Sequence, residues 1–408
     1  MPLPNLLFVL WALWPIAAYP GGKLFAPIVV LIGLFALPGL KLRQISLPIK
    51  LALVLLFWVC LSALWSPANE GLFSGSLLKE NFALEASYLR FSFTLIGCFL
   101  FVRLVLKAPR EKLAGVPVWI IAGIGLHFAV VFGITVFRED LLGAQGDWMV
   151  LTGQSMGRNA NLLAMAAPLL IGALALKGSG RKLLIFGGGL LVATVFFAVR
   201  LDGLAAVLAL AIGGVALAIL HVKKVAGFRW LFNLVAAGLV AAPALAWALG
   251  ANSAALAGTL PLTAQQRILI WQATLERILE RPLLGHGVNA APTWTETYIN
   301  RPDLLGQLSP ELINHRIIPN HPHNMALQIW AETGLIGALM AAALLVMVGR
   351  TLAQPKDLAF GIKIAASGLF GAAISYFTVS YSVWDESFWA SIAIVLSGII
   401  VLHRKVTA

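Results

Sequence analysis

The chain has 408 residues, of which 60% are hydrophobic and only 11% charged, with a formal net charge of +12 and a mean hydropathy of +0.90. That balance excludes a soluble globular domain, which needs far more charge to cover its surface. Lipid is the solvent that fits, and a helix crosses it with about 20 largely apolar residues.

Taken in order, about twelve such stretches appear, at 4–20, 24–40, 48–66, 88–106, 114–137, 159–176, 182–199, 203–222, 230–250, 327–349, 359–381 and 388–403. The expected fold class is therefore an all-α polytopic membrane protein with about 12 transmembrane helices. A membrane barrel is excluded, because its strands would read as short alternating segments. The first stretch lacks a basic start and a small-residue cleavage site, so a retained helix is expected rather than a signal peptide. Cys60 and Cys98 both fall inside spans, where cysteine acts as a small apolar residue and implies neither a disulfide framework nor a metal cluster. Residues 1–250 make the first nine helices, 251–326 a long hydrophilic loop and 327–408 the last three helices.

Charge sorts by side. With the N-terminus inside, the inner loops collect Lys41, Arg43, Lys50, Lys107, Arg110, Lys112, Lys177, Arg181, Lys182, Lys223, Lys224, Arg229, Arg350, Lys356, Arg404 and Lys405, with only Glu111 and Asp357 as acids. This is the positive-inside bias. The basic excess orients the chain, puts both termini in the cytoplasm and does not indicate a nucleic-acid partner. Topology does not account for the outer arginines, Arg138, Arg158, Arg200, Arg267, Arg277, Arg281, Arg301 and Arg316. Arg277 and Arg281 can pair with Glu276 or Glu280 on a helix surface. Arg200 lies in the very short link AVRLDG between two apolar spans, where an ionisable group is costly and suggests function. Snorkelling to lipid headgroups is the alternative.

The outer loop is too long for a plain connector. Within it, TAQQRILIWQATLERILERP places Ile268, Trp271, Leu275, Ile278 and Leu279 at helical spacing, which predicts an amphipathic helix on the membrane surface or over the bundle. Thr263 is its expected N-cap and Pro282 its stop. Arg267 then falls in the first turn, where the helix dipole disfavours a cation, so it is placed for an anion. PLLGHGVN follows, a glycine-flanked turn carrying His286. The loop closes on NHPHN, which puts His321, His323 and Asn324 at the entrance of the next span. Helix N-termini favour anions, although Asn324 also suits an ordinary N-cap.

Arginines with a histidine suit a phosphorylated substrate and a proton transfer. No ATP reaches the outer face, so the substrate must arrive activated, and a lipid-linked diphosphate sugar meets that need. The outer acids, chiefly Glu139–Asp140 and Asp385–Glu386, do not form the carboxylate cluster of a hard-cation site. His321 and His323 with His286 or His315 offer a zinc alternative, but without cysteine or a helical i, i+4 pair. No metal and no cofactor are expected.

RILIWQATLERILERPLLGHG followed by HPHNMALQIWAETGLIG, with GRNANLLAMAAPLL and LSALWSP upstream, resembles the O-antigen ligase and polymerase superfamily of bacterial inner membranes. The resemblance implies a GT-C-like bundle with a periplasmic active site. It also implies metal-independent, inverting transfer of O-antigen glycan from undecaprenyl diphosphate to a sugar of lipid A–core. By motif, Arg200 and Arg267 would bind the diphosphate and His323 would be the base; His321, Asn324, Arg158 and His286 complete the expected substrate-binding set. Asn161 shares the upstream motif with Arg158. Many relatives have Ser-Arg-Gly where this chain has Val199-Arg200-Leu201-Asp202-Gly203, so the arginine survives and a role for the preceding hydroxyl does not. A single large late loop favours a ligase. The rival readings are an O-antigen polymerase, a protein O-oligosaccharyltransferase and a lipid-linked glycan transporter.

Overall fold

The computed structural model describes residues 3–39, 46–68, 70–74, 83–143, 153–178, 180–252, 259–301, 313–354 and 357–406. Lys41, Arg43 and Lys356 of the inner basic set lie outside the described residues. The chain is an all-α polytopic membrane protein. Its principal helices are α1 (Leu3–Ala18), α2 (Phe25–Leu34), α3 (Leu47–Ser62), α4 (Ser87–Lys107), α5 (Val116–Val136), α6 (Gly153–Lys177), α7 (Gly188–Arg200), α8 (Leu204–Lys223), α9 (Gly227–Ala251), α10 (Leu262–Glu280), α11 (Met325–Leu352), α12 (Phe360–Val379) and α13 (Glu386–Val406). Among the described residues, the extended structure is one antiparallel strand pair, Phe73–Ser74 with Ala83–Leu84, and an isolated bridge between Thr297 and Arg316.

Every expected span coincides with a helix, and only α10 lies outside that set. Nine stretches among the described residues are long and apolar enough to cross a membrane. One of them, Leu204–Ala251, holds both α8 and α9, while the apolar parts of α1 and α2 are shorter than a full span. The α8–α9 corner turns at Lys224, whose φ is +52°.

The spans are unevenly buried. In α6, 78% of the most apolar stretch is inside the protein, against 11% in α3, so α6 is the centre of the bundle. It meets α12 at Gly172 and Gly361, where a Cβ on either residue would overlap the other's backbone oxygen. Small residues let helix backbones approach this closely where no hydrophobic drive operates. On another flank, Trp11 and Trp14 of α1 are fully buried, and Trp14 stacks on Phe25 with ring centroids 4.7 Å apart. Its indole N–H donates to Nδ1 of the buried His127 at 3.1 Å, and His127 Nε2 lies 3.3 Å from Asn159 Oδ1.

Helix α11 is broken. Gly334 sits within it at φ +67°, ψ −170°, a conformation that is essentially glycine-only. A break in apolar surroundings frees backbone groups that must find partners. Here each one does. Ala331 O accepts from His286 N (2.9 Å), Glu332 O from Gly287 N (2.8 Å), and Leu335 N donates to Pro282 O (2.8 Å). Thr333 O accepts from the Trp58 indole at 3.0 Å. The PLLGHG turn is thus inserted into the break, and Gly285, at φ +69°, has no room for a Cβ against Glu332. Gly334→Ala is expected to destabilise the protein by about 1–3 kcal/mol, read as an earlier thermal unfolding transition in detergent. Gly125→Ala, where a Cβ meets nothing within 4 Å, should leave the transition unchanged or raise it.

Candidate functional site

The expected site residues come mainly from helix ends at one end of the bundle. Helix α6 starts at Gly153 rather than 159, so Arg158 is carried inside a helix and not on a loop. Helix α10 starts at Leu262, with Pro261 and not Thr263 in the N-cap position and no side-chain cap. The proline sets the local start of the helix, and Arg267 falls in the second turn rather than the first. The helix dipole therefore bears on it less than the sequence suggested. Before α11, Asn324 does cap the helix, its Oδ1 accepting from Leu327 N at 3.1 Å.

Arg158, Arg267, His321 and His323 line one cavity of about 260 Å³, together with Asn161, Asp202, Thr263, Ser380 and Tyr381. Each cation is held differently. Arg158 is ion-paired with Asp385 at 2.8 Å and its guanidinium lies 5.1 Å from the centroid of the Tyr381 ring. Arg267 is anchored by backbone alone, its Nε–H donating to Val379 O at 3.1 Å and its Nη1 to Thr263 O at 3.2 Å. It forms no ion pair with a carboxylate among the described residues. Burial lowers its pKa, but a guanidinium stays charged. The cavity therefore contains a half-buried cation without a counter-ion.

The two histidines are set as opposite tautomers. The backbone N–H of His323 donates to His321 Nδ1 at 3.1 Å, so neutral His321 carries its proton on Nε2. His323 faces a carbonyl, Ser380 O, 3.1 Å from its Nδ1. A carbonyl only accepts, so Nδ1 holds the proton and Nε2 keeps a free lone pair. Pro322 O between them accepts from the Trp271 indole at 3.1 Å, which ties the turn to α10, and His323 itself takes φ +52°. Burial, with help from His323 and Arg158, pulls the His321 pKa down to about 3. Burial also lowers that of His323, opposed by the Ser380 carbonyl and reinforced by Arg267. Both rings are neutral at pH 7. Tyr381, pushed up to about 12 chiefly by burial, stays a phenol.

The remaining expected residues lie apart from this cluster. The Arg200 side chain is exposed and is not a cavity-lining group, although the turn that follows it, Leu201–Ala205, forms a wall. Arg138 braces that turn, bonding Arg200 O at 2.7 Å and pairing with Asp202. His286 is a brace in the outer segment, its Nε2–H donating to Arg277 O at 2.8 Å. Asn324 lines a different space, an apolar groove of about 460 Å³ between α8, α9, α11 and α12 that reaches Trp271 and Thr378. Groove and cavity are neighbours, since Asn324 follows His323 and Thr378 lies two residues before Ser380. Other outer arginines are already engaged: Arg277 with Glu280 and Glu296, and Arg301 with Glu276. Among the described residues no three His, Cys, Asp or Glu side chains cluster to hold a metal ion.

Sequence reasoning missed Ser380, Tyr381 and Asp385, the residues that hold His323 and Arg158. Asp385 had been weighed only as a cation ligand. It also missed Glu332, for which a signal was present, a lone carboxylate in the apolar run IWAETGLIG. Inorganic diphosphate should raise the thermal transition of the purified protein. Arg267→Gln should abolish that shift, whereas Arg316→Gln, whose guanidinium bonds Pro292 O, should retain it.

Comparison with known proteins places the cluster in a family context. Residues 189–342 match the family described as O-Antigen ligase, a stretch containing Arg200, Arg267, His286, His321, His323 and Asn324 but neither Arg158 nor Asp385. A protein of Rickettsia prowazekii (strain Madrid E), named as a candidate polysaccharide ligase, is 30% identical over 208 residues, covering 49% of this chain and 46% of that protein. One from Rickettsia conorii (strain ATCC VR-613 / Malish 7) with the same naming is 28% identical over 257 residues, covering 60% and 56%. The chain spans about half the length of these relatives.

Proposed function

From the match of residues 189–342 to the O-antigen ligase family, we propose that the protein transfers a glycan from undecaprenyl diphosphate to a sugar hydroxyl of lipid A–core on the periplasmic face of the bacterial inner membrane. The observation that carries this reading is Arg267, without an ion pair among the described residues, in one cavity with a histidine whose Nε2 lone pair is free, and an apolar groove next to that cavity. An isoprenoid tail suits the groove and a diphosphate suits the cavity.

In the proposed reaction the acceptor hydroxyl gives its proton to His323 Nε2, and its oxygen attacks the anomeric carbon. The bond from that carbon to the diphosphate oxygen breaks with inversion. The imidazolium that forms is stabilised by the Ser380 carbonyl on Nδ1–H. Arg267 and Arg158 take the charge growing on the leaving diphosphate, and His321 donates a neutral Nε2–H to it. Arg200, one residue outside the wall, is the outermost cation of the set.

Reconstitution with lipid-linked glycan and two acceptors, lipid A–core and free glycan, tests the reading. Product on lipid A–core supports a ligase; extension of free glycan alone replaces it with a polymerase. His323→Ala should lower transfer by at least about 100-fold while the protein remains folded, and normal turnover would remove it as the base. Arg267→Ala should cost on the order of 100–1,000-fold. Because His323 is active when neutral and its pKa is lowered, the rate should hold through neutrality. It should fall only as pH drops below the ordinary imidazole range, a profile measurable as log kcat/KM against pH.

A further inference from the structure

Glu332 is fully buried, two residues before the break in α11, and forms no ion pair among the described residues. Four N–H groups converge on its carboxylate: Asn289 N at 2.9 Å, Ala291 N at 3.2 Å, the Trp384 indole at 2.5 Å and Gln328 Nε2 at 3.3 Å. Every one of these partners is a donor, so both carboxyl oxygens serve as acceptors. A carboxyl group buried in an apolar bundle is an expensive way to join segments that apolar packing could join.

What it joins is specific. One turn earlier on the same face, Gln328 accepts from Val383 N at 3.0 Å, and its Nε2 donates to Ser382 Oγ at 3.1 Å. Gln328 and Glu332 together clamp residues 382–384. The same short segment presents Ser380 O to His323 and the Tyr381 ring and Asp385 carboxylate to Arg158. On its other side, Glu332 fixes the backbone just beyond the GHG turn. We infer that Glu332 is a positioning residue for the reaction, holding the Ser380–Asp385 segment so that His323 keeps its proton on Nδ1 and Arg158 keeps its place in the cavity.

This rests on the assignment of His323 as base, and the test separates the two. Glu332→Gln should lower kcat by up to about 100-fold with little change in KM for the donor. If the Ser380 carbonyl drifts from Nδ1, the acid limb of the pH–rate profile moves to lower pH, since that bond raises the His323 pKa. The other charged and titratable groups facing His323, namely His321, Arg158, Arg267, Asp202 and Tyr381, are unchanged in the variant. Should Glu332→Gln fail to fold, Trp384→Phe removes one donor yet can keep the edge contact with Phe91, and the same displaced limb is expected. Asn289→Ala, on the far side of the carboxylate, should leave the limb where it is. A limb that stays in place in Glu332→Gln, or in Trp384→Phe if that is the variant that folds, overturns the positioning role. Wild-type protein that turns over with His323→Ala fully active overturns the base instead.

Discussion

A helix that breaks in an apolar environment strands several backbone groups at once, and the arrangement around Gly334 follows from having to satisfy them. The exposed carbonyls of Ala331 and Glu332 recruit His286 and Gly287, and the freed Leu335 N–H recruits Pro282. That exchange ties the end of α10 to the middle of α11. With α10 fixed, Trp271 reaches Pro322 and holds the histidine turn. The carboxylate of Glu332 then links the same region to the segment between α12 and α13. The cavity is thus a product of backbone accounting before it is a product of side chains.

Its electrostatics come from subtraction. Arginines at this end of the bundle are mostly committed: Arg138 to Asp202, Arg277 to Glu280 and Glu296, Arg301 to Glu276. Arg267 is held only by carbonyls, which orient a guanidinium without neutralising it. Two neutral imidazoles beside it add no competing charge. An anion entering this space meets preorganised donors, which need no reorganisation to receive it.

The spans were legible because apolar runs in a membrane chain have few other readings, and the positive-inside bias recurred loop after loop. Arg267, His321 and His323 were legible because polar residues near a span entrance lack a bland explanation. Arg200 was drawn in by the same logic, yet its side chain lies outside the cavity because α7 ends on it and the wall begins one residue later. Arg158 was placed on a loop because the polar start GQSMGRNAN hides a helix that begins before the apolar run. Ser380 acts through its backbone carbonyl, which no residue type announces. Asp385 acts through a partner 227 residues away in sequence, a pairing that only the packed bundle creates.

The broken α11 also constrains the order of assembly. The PLLGHG turn precedes α11 in the chain, so it is made before the groups it must bond exist. Until the two meet, residues 331–335 can satisfy themselves only as a continuous helix, with Leu335 N–H returned to Ala331 O. Docking of the turn exchanges those internal bonds for external ones, so the break in α11 forms only where the turn is seated. Seating the turn and breaking the helix are then the same event.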